Sequence, residues 1–415
     1  MSASADHQCD VLIVGAGPAG TAAAITLVDA GRSVIVVDRA VFPRDKCCGD
    51  GLTTLALREL EHLGLDPATV PSLLAVSGAW LRSPNGREFE VPLPDDGVYA
   101  AVATRLDLDA ALVELAINRG AVVHQGVAAT QVLRRADGID VTVEGVGVIR
   151  ADAVIAADGM WSPIRRMVGA GGDGYRGEWH AFRQYFEHVT GPAAERLIVW
   201  FEPDLLPGYA WSFPLPGGRA NVGFGVLRDG ALRGRDMAAT WRDLLHRDHV
   251  VEALGPGATP IDRHTAWPIP ARVDDVVLTH GRVIFVGDAA AATDVLTGEG
   301  IGQALLTGRL AAEAIISNTT AATRATAYEA AVEHHLFADH RMSKRLGRVL
   351  ASRRGAAGAL AVVERSGSWG RRNFARWMFE DEPRAIALTP SRWHRQMLRQ
   401  AGVWSDRPRP GADSD

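Results

Sequence analysis

The chain is poor in cysteine and has no long apolar run. Cys9, Cys47 and Cys48 are its only three cysteines in 415 residues. Neighbours such as Cys47 and Cys48 seldom bridge each other, because a disulfide needs its two Cα atoms suitably separated and oriented. No CxxC pair and no Cys/His ligand spacing occurs, so no metal is expected and a reducing cytoplasm is the expected location. No apolar stretch reaches the roughly 18 residues that a spanning helix requires. The segment Met1 to Gln8 lacks a basic region, and the apolar run after it is broken by Gly15, Gly17, Pro18 and Gly20. It reads as a strand and a helix, not as a signal peptide. Disorder is excluded as well, since 47% of residues are hydrophobic and 22% charged, an ordinary globular balance. The length suits two or three domains, or two lobes sharing one sheet.

Charge is unevenly spread. The net charge is −5, yet residues 341–409 hold 16 Arg/Lys against 5 Asp/Glu, leaving 28 against 44 elsewhere. Such asymmetry points to an anionic partner, a membrane surface or a charged substrate near the C-terminus; a solvated helical face is the plainer alternative. No nucleic-acid partner is expected.

Three glycine-bearing segments, far apart in sequence, point to one ligand. The first follows a buried strand, Asp10 to Val14, and reads Gly15-Ala16-Gly17-Pro18-Ala19-Gly20. A small-residue helix, Pro18 to Ala30, and a second strand, Ser33 to Val37, complete a βαβ unit ending at Asp38. Gly15 allows the tight turn, Gly17 lets backbone approach a pyrophosphate, and Gly20 lets the helix pack closely. The helix N-terminus suits a diphosphate. Asp38 lies 18 residues after Gly20, where a carboxylate binds ribose hydroxyls. The second segment is Asp158-Gly159, at the end of the apolar strand Ala153 to Ala157. The third is Gly287-Asp288, after the strand Val283 to Val286, running on to Gly298-Glu299-Gly300. Together they specify a flavin adenine dinucleotide site built from discontinuous sequence. Another GxGxxG match, at Gly169, Gly171 and Gly174, follows a helix (Ser162 to Val168) instead of a strand and reads as a loop. With no second dinucleotide fold, reducing equivalents must come from transiently bound NAD(P)H or a separate donor.

The parallel strands near residues 10, 35, 155 and 285 must share a sheet. Residues 176–230 are strand-rich and aromatic, and form a second lobe that could wall an apolar cavity. The hairpin Val76 to Val91 turns at Pro84-Asn85-Gly86. Short strands are expected at Val122-Val123, Ile139 to Val143 and Val146 to Ile149. Helices are expected at Leu52 to Leu63, Arg105 to Arg119 and Met237 to His249, and from Glu299 almost to the end. The fold class is α/β: a Rossmann-like FAD-binding domain with an inserted antiparallel β-sheet substrate domain and a helical C-terminus. The expected division is 8–75, 100–170 and 276–318 for the cofactor, 76–99 and 176–275 for the substrate, 319–405 helical, and 406–415 a disordered tail.

These motifs resemble the p-hydroxybenzoate-hydroxylase-like FAD superfamily. Ile155-Ala156-Ala157-Asp158-Gly159-Met160-Trp161-Ser162-Pro163-Ile164-Arg165 is similar to its DG motif, and Val286-Gly287-Asp288-Ala289-Ala290 to its GD motif. The resemblance implies that Asp288 holds the ribityl chain and that Arg105 lies near the flavin. It also implies that the helix opening at Gly298, Gly300 and Ile301 aims its N–H groups at the flavin pyrimidine. Phe42-Pro43-Arg44-Asp45-Lys46-Cys47-Cys48-Gly49-Asp50-Gly51-Leu52 resembles the Cys-Gly loop of the geranylgeranyl reductase family. Pro207-Gly208-Tyr209-Ala210-Trp211-Ser212-Phe213-Pro214 and Asn221-Val222-Gly223-Phe224-Gly225 are similar to its YxWxFP element and GxG strand, and Leu296 to Ile301 matches as well. The resemblance is closest to the bacterial branch that saturates prenyl chains, menaquinone included. Ala19, Arg39, Cys48 and Gly49 join the expected cofactor contacts. Asp294-Val295 departs from the family's Asn-Pro, and Cys47 stands where proline is common. Flavin-dependent halogenases, with a WxWxIP element and a Gly-Glu-Ser loop, match less well.

The resemblance implies hydride transfer from reduced flavin N5 to an isolated alkene, with a proton added to the other carbon. Cys48 and Tyr209 are the candidate proton sources; the plainer readings are a small loop residue and a packing residue. Trp211 and Phe213 would line an apolar channel for a prenyl lipid or a similar apolar small molecule. A monooxygenase or epoxidase of specialised metabolism, using the same cofactor frame, is the alternative. A non-catalytic flavin-binding sensor is a third reading. Near the C-terminus, Trp369, Arg371, Arg372, Phe374, Arg376, Trp377 and Met378, then Arg392, Trp393, Arg395, Leu398 and Arg399, mix cations with aromatics as interfacial helices do. Peripheral contact at the inner membrane face is the corresponding expectation.

Overall fold

The computed structural model describes residues 5–171, 174–228, 236–397, 399–407 and 411. Its first sheet grows from strands whose valines and isoleucines are covered on both faces, as in Val11–Val14 and Val34–Val37. Thr279–His280, Val283–Phe285, Gly147–Ala156, His7–Val14, Val34–Asp38 and Val122–Gln125 lie side by side in that order. The four strands expected to share a sheet therefore do. Val14 stands opposite Ala156 and Val37, and Phe285 opposite Ala156. This parallel register brings the loops that follow, at Gly15, Asp38, Asp158 and Gly287, to one edge of the sheet, the crevice where open α/β sheets bind ligands.

Helices Pro18–Asp29 and Ile301–Ser317 pack against each other through glycine. A Cβ on Gly308 would lie 2.1 Å from the Ala19 carbonyl oxygen, and one on Gly20 1.8 Å from that of Gly15. Helix Arg105–Arg119 has the expected bounds, with Thr104 capping its start and Gly120 ending it at φ 109°.

The second sheet runs Thr259–Pro260, Trp179–Glu187, Arg219–Leu227, Tyr209–Leu215, Leu197–Trp200, Gly78–Arg82 and Glu88–Pro92, with Thr265–Ile269 also paired to Trp179–Glu187. A small third sheet, Gly51–Leu52, Ala101–Val102 and Leu74–Ala75, carries the loop after Cys48.

Three local expectations are corrected. Val146–Ile149 and Ala153–Ala157 are one strand, Gly147–Ala156, because the antiparallel strand Ile139–Val143 pairs with its first half while its second half has parallel neighbours on both sides. Met237–His249 is two helices, Met237–Leu245 and Asp248–Leu254, since Arg247 is extended (φ −70°, ψ 131°). The C-terminal region is helical only to Met378, through Ala321–Val332, a π turn at Glu333–Phe337, Ala338–Leu350, Arg353–Arg365 and Gly367–Met378. From Phe379 it runs as short turns, interrupted by Pro383 and Pro390, and returns to the first lobe. There Val403 bridges Val98, Trp404 is buried, and Arg407 pairs with Asp66 at 3.0 Å. Of the expected tail, 408–410 and 412–415 lie outside the described residues, as does Leu398.

Candidate active site

One cavity of about 1070 Å³ runs between the loop-bearing edge of the first sheet, the aromatic face of the second, and the C-terminal helices. Every residue proposed from sequence for cofactor, catalysis or substrate lines it, except Gly20, which lies on the buried side of the first helix. At one end Gly15 turns at φ 107°, where a Cβ would meet the Ala157 carbonyl oxygen at 2.2 Å. Gly17 precedes helix Pro18–Asp29, whose first amides have no side-chain cap, and Ala19 follows on the cavity wall. Asp38 accepts the N–H groups of Ala16 (2.7 Å) and Ala40 (2.8 Å), beside Arg39. This cradle fits a dinucleotide: free helix amides for a diphosphate, and a carboxylate fixed at the end of the second strand.

Asp158 takes the Ser162 hydroxyl (2.6 Å) and the Ile164 N–H (2.8 Å), starting the helix Pro163–Met167. Burial pushes it up to about 6. Gly159 lies beside it at φ 79°. Asp288, after Gly287, pairs with Lys46 at 3.0 Å across the cavity. Arg105 is buried and gives two 2.7 Å bonds to Asp109, which also takes Arg44 at 2.9 Å. Gly298 and Gly300 lead into helix Ile301–Ser317.

The middle of the cavity is organised by Asn221. Its Nδ2 donates to the Cys48 carbonyl (2.9 Å) and to the Asp50 carboxylate (2.7 Å), while its Oδ1 accepts the Trp211 indole N–H (3.1 Å). The Cys48–Gly51 loop is thereby held against the Tyr209–Leu215 strand. A Cβ on Gly49 would lie 3.5 Å from the Trp211 ring and 3.6 Å from that of Phe213. Tyr209 donates its hydroxyl to the Thr297 carbonyl, tying this strand to the loop before helix Ile301–Ser317. Burial, then the Asp50 carboxylate, pushes the Cys48 thiol up to about 12. Burial, then Glu299, raises the Tyr209 hydroxyl further above its ordinary value.

Several residues here were missed by sequence reasoning. Asp50 is enclosed, hydrogen-bonded to Tyr185 (2.6 Å) and Asn221, and pushed up to about 6 by burial. Asp294, in the departure from Asn-Pro, accepts the N–H groups of Leu296 (3.0 Å) and Thr297 (2.8 Å) and the Ser343 hydroxyl (2.8 Å). Burial raises its pKa, but Arg384 and these bonds outweigh that and hold it below the usual range. Glu380 ties Thr53, Gln303 and Arg384 together, and Glu299 caps the helix at Ile301 and Gly302. Asp50, Asp294 and Glu299 each stood inside a named motif without a role assigned to it, while Glu380 stood in none.

The C-terminal cation-aromatic run divides. Phe374, Trp377 and Met378 line the cavity together with Leu346, Leu360 and Val363. Arg376 turns inward to Asp381 and Arg392 to Asp339, correcting the expectation that both face an interface. Trp369 and Trp393 remain exposed, at 76% and 57%.

The geometry can be set beside known proteins. A family profile described as an FAD binding domain matches residues 8–331. The menaquinone reductase of Mycobacterium tuberculosis is 36% identical over 341 residues, covering 77% of this chain and 79% of the relative. Digeranylgeranylglycerophospholipid reductase 2 of Methanopyrus kandleri is 34% identical over 335 residues, covering 78% and 81%. This chain belongs to the geranylgeranyl reductase family. It is an FAD-dependent oxidoreductase. A crystal structure of a geranylgeranyl bacteriochlorophyll reductase-like protein from Thermoplasma acidophilum shares the fold, with TM-score 0.77 and 22% identity, over 93% of this chain and 99% of that one. Among the described residues, no helix is long and apolar enough to cross a membrane.

Proposed function

We propose that this family member saturates isolated C=C bonds of a prenyl chain, such as the side chain of a prenyl quinone. The observation that carries this reading is the apolar half of the cavity. From Trp211 and Phe213 it continues between the C-terminal helices along Leu346, Leu350, Leu360, Val363 and Phe374. A slot of this kind suits a long hydrocarbon, because it offers many apolar contacts and few fixed polar ones. The mycobacterial menaquinone reductase and the archaeal digeranylgeranylglycerophospholipid reductase support the same substrate class.

In this reading residues 8–75, 100–170 and 276–318 form the cofactor domain, and 76–99 with 176–275 the substrate domain. Gly15, Gly17, Ala19 and the first helix hold the FAD diphosphate, with Gly20 letting that helix sit close. Asp38 and Arg39 hold the adenosine ribose, and Asp158 with Gly159 and Gly287 with Asp288 the remainder. Arg105, Cys48, Gly49, Gly298, Gly300 and Ile301 border the ring. When bound and reduced, FAD supplies hydride. The protein's part is to orient the alkene, exclude water and supply a proton. Cys48 and Tyr209 flank the alkene. Their high pKa values keep both protonated at neutral pH, which favours a positioning part over acid catalysis for each.

The reductant is a reduced nicotinamide dinucleotide. Support comes from a second cavity of about 310 Å³ that adjoins the first at Met160, Trp161, Arg166 and Asp288. Arg165, Arg166, Arg176 and Arg272 line it. Among the described residues, the hydrogen bonds that Arg165 donates go to the carbonyls of Ala170, Val277 and Ala289, and Arg272 lies 3.5 Å over the Tyr175 ring. Four guanidinium groups outnumber the two carboxylates, Asp275 and Asp288, on this wall, and such an excess suits phosphates. The protein works on the surface of an anionic leaflet at the cytoplasmic face. Val349 both lines the cavity and is 53% exposed, and Arg345, Arg348, Arg353 and Arg354 are exposed around it in sequence.

The test is to reduce the FAD-loaded protein without oxygen and mix it with oxygenated buffer in a stopped-flow spectrometer. Slow, direct return to oxidised flavin is expected. A transient flavin hydroperoxide spectrum would replace this reading with a monooxygenase or epoxidase.

A further inference from the structure

Six carboxyl groups line the main cavity: Asp38, Asp45, Asp50, Asp158, Asp288 and Glu299. Five have their charge or both oxygens engaged, or lie enclosed. Asp38 takes two main-chain N–H groups, one on each oxygen, and Asp158 takes Ser162 and Ile164 in the same way. Asp45 pairs with Arg183 through both oxygens and Asp288 with Lys46. Asp50 takes Tyr185 and Asn221 on Oδ2 alone, and its unpartnered Oδ1 is fully enclosed. Glu299 shares this one-sided bonding but is only partly buried on the cavity wall. Its Oε1 accepts two main-chain N–H groups, from Ile301 (2.9 Å) and Gly302 (3.2 Å), and its Oε2 has no hydrogen-bond partner among the described residues.

That asymmetry decides which oxygen would carry a proton. The two N–H donors on Oε1 favour the ionised form, so a proton retained against them sits on the oxygen they leave free. The hydroxyl must then be Oε2–H, on a residue that lines the cavity and is only partly buried. Among the described residues no protein acceptor competes for it. Main-chain bonds on both sides keep it in place: the Glu299 N–H donates to the Thr297 hydroxyl (3.3 Å), and its carbonyl accepts the Asp294 N–H (2.8 Å).

We propose that Glu299 is the catalytic acid of this site, giving its Oε2 proton to the alkene carbon opposite the one that takes hydride. This rests on the prenyl-reductase reading above. One carbon of the double bond gains hydride, with both electrons, from reduced flavin, and the π pair forms the second C–H bond with the Glu299 proton. The alkene is reduced by two electrons and the flavin oxidised by two. The carboxylate left behind regains a proton from solvent before the next turnover.

The electrostatics agree. Burial, then the neighbouring Glu380 carboxylate, pushes Glu299 up to about 8, against the pull of the helix N–H groups and of Arg105. The Asp294–Arg384 pair stands beside its loop, and Cys48 and Tyr209 are the titratable groups coupled to it from the facing elements. Glu299 is thus protonated at neutral pH, yet about 10⁴-fold more acidic than a thiol at about 12. Tyr209, whose proton is already given to Thr297, is weaker still.

The experiment pairs a spectrum with a rate. In the FAD-free protein, the infrared carbonyl band of a neutral carboxyl should disappear with a midpoint near pH 8, and Glu299→Gln should remove that band. With FAD and a prenyl quinone, wild-type kcat should fall about tenfold per pH unit above about 8. E299Q should bind FAD normally, lose about 100-fold or more in kcat, and show no basic limb. No carboxyl titrating in that range, or an E299Q enzyme within twofold of wild type with the same basic limb, overturns the proposal and leaves the reductase reading standing. A wild-type enzyme that reduces no prenyl substrate overturns both.

Discussion

At the scale of single residues, the site depends on buried polar groups whose charge is set by what they touch. Asn221 is the clearest case, since one amide serves Cys48, Asp50 and Trp211 at once. Glu299 makes a prediction about stability as well as rate. Its folded pKa, about 8, lies above the ordinary glutamate value. A group shifted in that direction favours the folded state below its unfolded pKa, near 4.5, and loses that contribution as pH rises toward 8. The loss is at most about 1.4 kcal/mol per pH unit for one proton, and less because the side chain is only partly buried. Glu299→Gln keeps an acceptor for Ile301 and Gly302 but cannot ionise. The FAD-free variant should therefore gain in Tm over wild type between pH 5 and 8, with the gain levelling off above pH 8. A pH-independent Tm difference would mean that Glu299 does not titrate in this range.

At the scale of elements, the glycine turns were legible because their causes are local. A strand end followed by GxGxxG can be read within one βαβ unit, and helix Arg105–Arg119 was read with the bounds that Thr104 and Gly120 set in the structure. The two carboxylates of the DG and GD turns were legible for the same reason. Glu380, Arg384 and Asp294 were not, because what joins them is the return of the chain after Met378, which carries no motif. The C-terminal aromatics were misassigned in part for a related reason. Composition cannot tell an arginine facing lipid from one, like Arg376, satisfied by an aspartate five residues on. Helix contacts allow a sharper test. Helices Pro18–Asp29 and Ile301–Ser317 meet at Gly308, where a Cβ would sit 2.1 Å from a main-chain oxygen. Gly308→Ala must push them apart, at a cost of about 1–3 kcal/mol. Because both helices begin at the proposed cofactor site, weaker FAD binding should accompany a lower Tm, measured by flavin fluorescence and calorimetry. Unchanged FAD affinity would mean that the helix starts do not hold the cofactor.

At the scale of the whole molecule, one cavity joins two sheets and a helical region that are separate in sequence. The first lobe presents its strand ends, the second its aromatic strand, and the C-terminal helices enclose the apolar remainder. A long substrate would then enter between those helices, where Val349 meets the surface. With each interfacial arginine worth about 1 kcal/mol near an anionic leaflet, the protein should pellet with phosphatidylglycerol vesicles at low salt and release at high salt. Equal binding to neutral vesicles would contradict the electrostatic part. Hydride delivery to an isolated alkene can be followed in a single turnover. The FAD-reduced protein is mixed with a prenyl quinone, already reduced to its quinol so that the ring cannot accept electrons, in the absence of oxygen. Flavin reoxidation is expected, matched mole for mole by a product with one side-chain double bond fewer, seen by mass spectrometry. Flavin that stays reduced, or reoxidises while the side chain remains intact, would contradict it.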